Sequence, residues 1–169
     1  MLSRALLIGF IVGTAFGILP SFALGVYFLP IIVAEDGADS AQITQAKNQS
    51  LATAVFRRDL AGSDLLHWGE GTLFLSRENL QYFFTLEGEI SPGPDYKLYL
   101  TPKFVEDEAG FEAIKNNNIR VADVAGHENI RIAVPTSIDP TAYAAVVIWC
   151  ERLNEFITAD RLDEPLAVK

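Results

Sequence analysis

Cysteine is almost absent from this chain. Cys150 is the only one in 169 residues, so no intrachain disulfide can form and the fold must hold without one. Histidine is nearly as scarce. His67 and His127 stand far apart, and with a single cysteine they offer no zinc-ligand spacing, so no metal centre is expected. A Gly-x-Ser-x-Gly elbow, a phosphate loop and a Gly-x-Gly-x-x-Gly fingerprint are all missing. Nothing supports a hydrolase or a nucleotide enzyme, and without a catalytic constellation the chain reads as a non-enzyme. Basic residues are the scarcer charge, 13 against 22 acidic. That balance argues against nucleic acid and against charge-driven binding to anionic headgroups. Ordinary surface solvation explains the acidity as well as a cationic partner would.

Charge of either sign is absent from residues 5–34. Hydrophobic residues make up 50% of the chain, high for a soluble domain, and the excess lies in this run. About 20 apolar residues span a bilayer, so the run is long enough for one transmembrane helix. Gly9, Gly13 and Gly17 fall on one helix face, where small residues permit close packing. Generic small residues in a membrane helix explain them without a dimer. Pro20 is expected to kink the helix and Pro30 to mark its exit. Arg4 is the one charge ahead of the run, and Glu35, Asp36 and Asp39 follow it. This asymmetry predicts a single pass with the N-terminus in the cytoplasm. Ser21-Phe22-Ala23 also spells a signal-peptide cleavage site. The apolar run continues through Leu24, Val26, Tyr27, Phe28 and Leu29, however, so an uncleaved signal anchor is preferred. Both readings export the remainder to the periplasm or the extracellular space.

Residues 35–50 are polar and read as a juxtamembrane linker or a short helix. From Leu51 the pattern becomes β. Strands are expected over 52–57, 71–76, 80–86, 96–101, 119–124 and 129–134, with a hairpin between 71–76 and 80–86. Ser91-Pro92-Gly93-Pro94-Asp95 is turn chemistry. Tyr96, Leu98 and Leu100 alternate with Lys97, Tyr99 and Thr101. A helical turn or two is expected within 109–115. Short strands without long helices between them predict an all-β domain, an antiparallel β-sandwich or a barrel-like form, behind one N-terminal transmembrane helix. The divisions are 1–34 for the anchor, 35–50 for the linker, 51–162 for the β domain and 163–169 for a tail.

The stretch that organises the domain is Val146-Val147-Ile148-Trp149-Cys150. Its uninterrupted bulk suits a strand buried on both faces. Alternation puts Cys150 with Val146 and Ile148, opposite Val147 and Trp149. Glu151 and Arg152 follow at once, so the strand is expected to emerge at a rim, where Arg152 could lower the thiol pKa. Two readings of Cys150 stay open. It is a small buried hydrophobe, or it is a thiol in use. A structural cysteine is expected to lose more stability as serine than as alanine. Glu106-Asp107-Glu108 reads as a solvated acidic loop rather than a cation site.

Ile148-Trp149-Cys150, followed by Leu153, Phe156, Ala159 and Leu162, resembles the C-terminal signature of the DM13 domain. Residues 93–100, Gly-Pro-Asp-Tyr-Lys-Leu-Tyr-Leu, are similar to that family's central strand. His67, Gly71 and Thr72 resemble its early motif, and 139–143 resembles the approach to its last strand. The chain departs from the pattern at Leu153, where the family usually has Phe, and at Ile157, where it usually has Gly. The resemblance implies a β-rich extracytoplasmic module that takes part in electron transfer. It further implies that Cys150 acts as a free redox thiol or holds a prosthetic group such as haem, with His67 as the second candidate cofactor-binding residue. By the residues alone, His67 satisfies backbone groups at the entry to a strand. A membrane-tethered redox module with an envelope redox partner is therefore set against a non-catalytic envelope β-sandwich that binds a protein or small ligand.

Overall fold

The computed structural model of the chain describes residues 3–32 and 37–163. The acidic flank at Glu35 and Asp36 and the tail beyond Asp163 lie outside the described residues. Helix α1 (Arg4–Ile32) covers 29 residues. It is long and apolar enough to cross a membrane, and Leu6, Phe10, Phe16 and Phe22 are exposed along it. At 1.5 Å per residue it measures about 43 Å, longer than a hydrocarbon core of about 30 Å. Helical structure continues past Pro30 to Ile32, and residues 33–36 lie outside the described residues. Each proline removes one i→i−4 hydrogen bond, a loss that a long apolar helix absorbs.

Of the two readings of the polar segment, a helix is what forms. Helix α2 (Ser40–Asn48) begins at a reciprocal capping box. Asp39 Oδ1 accepts from Gln42 N at 2.8 Å, and Gln42 Oε1 accepts from Asp39 N at 3.0 Å. The helix does not stand clear of the domain. Ala46 is fully buried, and Lys47 pairs with Glu87 at 2.6 Å. Ala38 N donates to Asn129 O, tying the chain to the domain just ahead of the helix.

Among the described residues, eight strands make two antiparallel four-stranded sheets. The first has the order β1 (Ser50–Phe56), β2 (Gly69–Glu78), β3 (Gln81–Ile90), β6 (Arg131–Ala133). The second has the order β5 (Ile119–Asp123), β4 (Tyr96–Thr101), β7 (Ala145–Cys150), β8 (Glu155–Arg161). β2 and β3 form the expected hairpin, with Glu78 opposite Gln81 and Asn79 in the left-handed region at φ 55°. The sheets pack as a sandwich and do not close into a barrel. One bridge, Thr53 to Asp163, joins their edges. β5 and β6 are neighbours in sequence yet belong to opposite sheets, so the loop around Gly126 crosses the sandwich instead of closing a hairpin.

Two cores explain why β4 and β7 are apolar on both faces. Between the sheets lie Leu75, Phe84, Leu86, Leu98, Leu100, Val146, Ile148 and Cys150. On the outer face of the second sheet, Tyr99, Val147, Trp149 and Phe156 pack under a cover that includes Phe111 and Ile114. That cover holds α3 (Glu108–Glu112) and a 3-10 turn over Lys115–Asn117, so the expected helical turns form and the asparagine run continues them. Two members of the acidic run make local contacts. Asp107 caps α3 through Gly110 N at 2.7 Å, and Glu108 accepts from Phe156 N at 3.3 Å. All six residues of β7 are buried. The expected division of that strand is what forms, with Val146, Ile148 and Cys150 facing one core and Val147 and Trp149 the other.

At the level where Leu98 pairs with Ile148, both outer strands carry an extra residue. Val121 is skipped in β5, and Ile157 in β8. Such bulges bend a strand and increase its local twist. Ile157, the position that departs from the DM13 pattern, turns its side chain into the inter-sheet core at full burial. Phe156 and Ala159 consequently share the outer face despite their odd spacing.

Candidate functional site

Cys150 ends β7, and the chain reverses directly after it. The turn at 151–154 puts Asn154 at φ 58°, a conformation that asparagine tolerates better than most residues, and Glu155 returns opposite Cys150. Across the sheet, Tyr96 is the register partner of Cys150. Loop 91–95 feeds into β4 there, and Glu151 N donates to Asp95 O at 3.0 Å. Two turns, one from each strand, thus close over the sulfur. Backbone N–H groups of Leu153, Asp95 and Arg152 act to lower its thiol pKa.

Burial pushes the Cys150 thiol above its ordinary pKa, and these N–H groups oppose the shift without cancelling it. Cys150 has no exposed surface. The expected rim position is therefore corrected. The strand does end here, but both turns fold over its end. Arg152 is corrected with it. Its side chain is exposed, and it is its backbone that acts to lower the thiol pKa.

Tyr96 shares the inter-sheet face with Cys150 and is also buried. Its hydroxyl lies 3.3 Å from Ser91 Oγ. Burial is the main reason that its phenol is pushed up to about 12. The ring lies over Gly93, where a Cβ would stand 2.1 Å from Tyr96 Cζ, so loop 91–95 needs glycine at that point. Ser91 exchanges two hydrogen bonds with Trp68. Its N donates to Trp68 O at 2.9 Å, and its Oγ accepts from Trp68 N at 3.2 Å. His67 is the next residue in the chain. Its Nδ1 meets Asp64 Oδ2 at 3.1 Å, while Asp64 Oδ1 accepts from Leu66 N and His67 N. His67 is therefore brought to the same end of the sandwich as Cys150, several links away, and no hydrogen bond joins the two among the described residues.

On the other face of β7, sequence reasoning missed a cluster. The Trp149 ring is fully buried and stacks on Phe111, with centroids 4.4 Å apart and planes at 22°. Phe111 meets Tyr99 edge-on at 5.2 Å. The Tyr99 hydroxyl donates to Glu151 Oε1. Lys115 Nζ stands 3.8 Å from Glu151 Oε2 and 5.2 Å from the Trp149 ring. The alternation of β4 set Tyr99 apart from Tyr96. Only the fold brings residues 111 and 115 over them.

A family model described as electron transfer DM13 matches residues 59–162, more than half of the chain. The chain belongs to the DM13 family. No curated protein and no solved structure matches it. The matched segment of this DM13 protein contains loop 91–95, both central strands and the turn at 151–154. α2 and β1 precede it, yet they complete the first sheet and one end of the sandwich.

The residues present do not fit a haem bound through Cys150. An axial thiolate needs an open position on the sulfur. Here the sulfur is fully buried, and the turns at 91–95 and 151–154 are joined beside it by the Glu151 N to Asp95 O hydrogen bond. A cleft does border loop 91–95, with Gly93, Asp95 and His127 in its wall, but Cys150 does not line it. Ser21, Phe22, Gly25 and Leu29 of α1 make another part of that wall. A membrane-spanning α1 would carry this part of the wall into the bilayer.

Proposed function

We propose that this DM13 protein is a membrane-tethered, extracytoplasmic electron-transfer module and that Cys150 is its redox centre. What supports the reading is the match to a family described as electron transfer DM13, whose matched segment, residues 59–162, contains Cys150. Fixed N–H dipoles favour the anionic sulfur and reduce the penalty of removing its proton in a dry site.

Burial then selects the kind of redox chemistry. A disulfide needs two sulfurs at about 2.05 Å, and this chain has a single, enclosed cysteine. Thiol exchange and nucleophilic attack need access as well. Transfer of one electron needs neither. In the proposed step the S–H bond of Cys150 breaks. Its proton leaves to water, and one electron passes to an oxidised one-electron centre on a partner protein. The sulfur remains as a thiyl radical until a one-electron donor restores it. The anchor is α1, with Arg4 on the cytoplasmic side.

Full-length protein in detergent, exposed to a graded series of one-electron oxidants, tests the centre. One equivalent consumed per wild-type chain, and none by Cys150→Ala at the same potential, is the expected result. Equal consumption by both proteins would transfer the centre elsewhere. The rival reading is a non-catalytic module that binds a protein or small ligand, and the complete burial of Cys150 favours it. It gains the field if no oxidant distinguishes the two proteins.

A further inference from the structure

We infer that Tyr99, hydrogen-bonded to the half-buried Glu151, is the outermost residue of the path through which electrons enter and leave the Cys150 centre, with Trp149 and Phe111 as the conduit. This inference rests on the electron-transfer reading above. Cys150 itself is enclosed, so a partner cannot touch it. Trp149 is its chain neighbour and faces the opposite core. From that ring a continuous aromatic path leads outward, at 4.4 Å to Phe111 and then 5.2 Å to Tyr99. Phe111 and Trp149 are fully buried, whereas Tyr99 is 9% exposed and bonded to the half-buried Glu151.

Charge decides where an electron vacancy rests. Lys115 Nζ lies 5.2 Å from the Trp149 ring and 5.9 Å from Phe111, so a positive charge on either ring is disfavoured. Trp149 Nε1 has no hydrogen-bond partner to take its proton. Tyr99 differs on both counts. Its phenolic proton already points at a carboxylate, so losing an electron and passing the proton to Glu151 leaves a neutral phenoxyl radical. Burial, together with the hydrogen bond to Glu151, pushes the Tyr99 phenol well above its ordinary pKa. A free phenolate is thereby disfavoured, and coupled transfer becomes the accessible route.

The step balances as follows. An oxidised one-electron metal centre on the partner takes an electron from Tyr99, and the phenolic proton moves to Glu151. An electron from the Cys150 sulfur then refills Tyr99 by way of Trp149 and Phe111, and the proton returns from Glu151 to the phenolic oxygen. The thiol proton goes to water. The partner is reduced by one electron, and Cys150 is left oxidised by one.

Full-length protein in detergent, oxidised by photo-excited ruthenium tris-bipyridine with a soluble electron-accepting quencher, tests the path. Freeze-quenched electron paramagnetic resonance spectra identify the radical, and mass spectrometry of the trapped thiol follows Cys150. The wild type should show a transient tyrosyl signal that decays as Cys150 is oxidised. Tyr99→Phe should abolish the signal and slow Cys150 oxidation. Glu151→Gln keeps the neutral donor pair but removes the proton acceptor, and should slow the step by about a hundredfold. Circular dichroism of both variants checks that the fold survives. Oxidation of Cys150 at the wild-type rate in folded Tyr99→Phe overturns the path and leaves the Cys150 centre standing. Failure to oxidise Cys150 in the wild type overturns the centre itself, and this inference with it.

Discussion

Tyr96 and Cys150 are register partners across β4 and β7, and both are buried on the inter-sheet face. Their pairing sets two turns side by side, 91–95 ahead of Tyr96 and 151–154 behind Cys150. Backbone N–H groups of both turns act to lower the thiol pKa against burial. A hydrogen-bond relay runs from Tyr96 through Ser91 to Trp68 and ends beside His67.

The N–H groups reverse an expectation about substitution. Cys150→Ser keeps an oxygen that can accept from them, whereas Cys150→Ala leaves buried donors unmet. Alanine should therefore cost about 1–3 kcal/mol and serine less. Urea unfolding of the full chain measures both, and a larger loss for serine would mean that the N–H groups have other partners.

The native thiol should ignore alkylating reagents near neutral pH. It has no exposed surface, and its pKa is raised by burial. Iodoacetamide labelling should appear only when the chain is unfolded in denaturant. Rapid native labelling would show that the two turns open.

Trp149 should be the most costly aromatic to truncate. It is fully buried and stacked on Phe111. Trp149→Ala should cost about 3–5 kcal/mol. An unchanged melting midpoint would contradict the packing of the outer core.

Alkaline pH should destabilise the domain through Tyr96. Its folded-state phenol is raised from 10.0 to about 12, chiefly by burial. The stabilisation is fully present below about 10, the unfolded value, and is lost as pH rises through the folded value. Lys97 acts with the same sign. Burial opposes its charge, but hydrogen bonds to Asp95 and Asp123 outweigh that and raise it. Tyr96→Phe should flatten the fall in melting temperature above about pH 10. An unaltered slope would place the loss in other groups.

Much of the fold is legible in the chain because periodicity reports burial directly. The face assignments of β7 and the alternation of Tyr96, Leu98 and Leu100 follow from side-chain pattern alone. The hairpin at Asn79 follows from turn chemistry. The contacts that make the site are a different kind of information. The N–H groups on Cys150 belong to the backbone of two turns distant in sequence, and no residue type announces them. In a regular strand Arg152 would lie one step beyond Cys150 on the same face, but the chain turns first. The partition of β5 and β6 between sheets is invisible to local pattern. So is the cover over Tyr99 and Trp149, because α3 is short and its apolar residues look like loop punctuation. His67 reaches the right end of the sandwich, but its ring is engaged by Asp64.

Protein-film voltammetry of the full-length chain measures the redox claim most directly. The wild type should give a one-electron wave whose midpoint falls as pH rises, because loss of the electron is coupled to loss of the thiol proton. Folded Cys150→Ala should give no such wave. An identical wave from that variant, or none from the wild type across the accessible potential range, would contradict a redox role for Cys150.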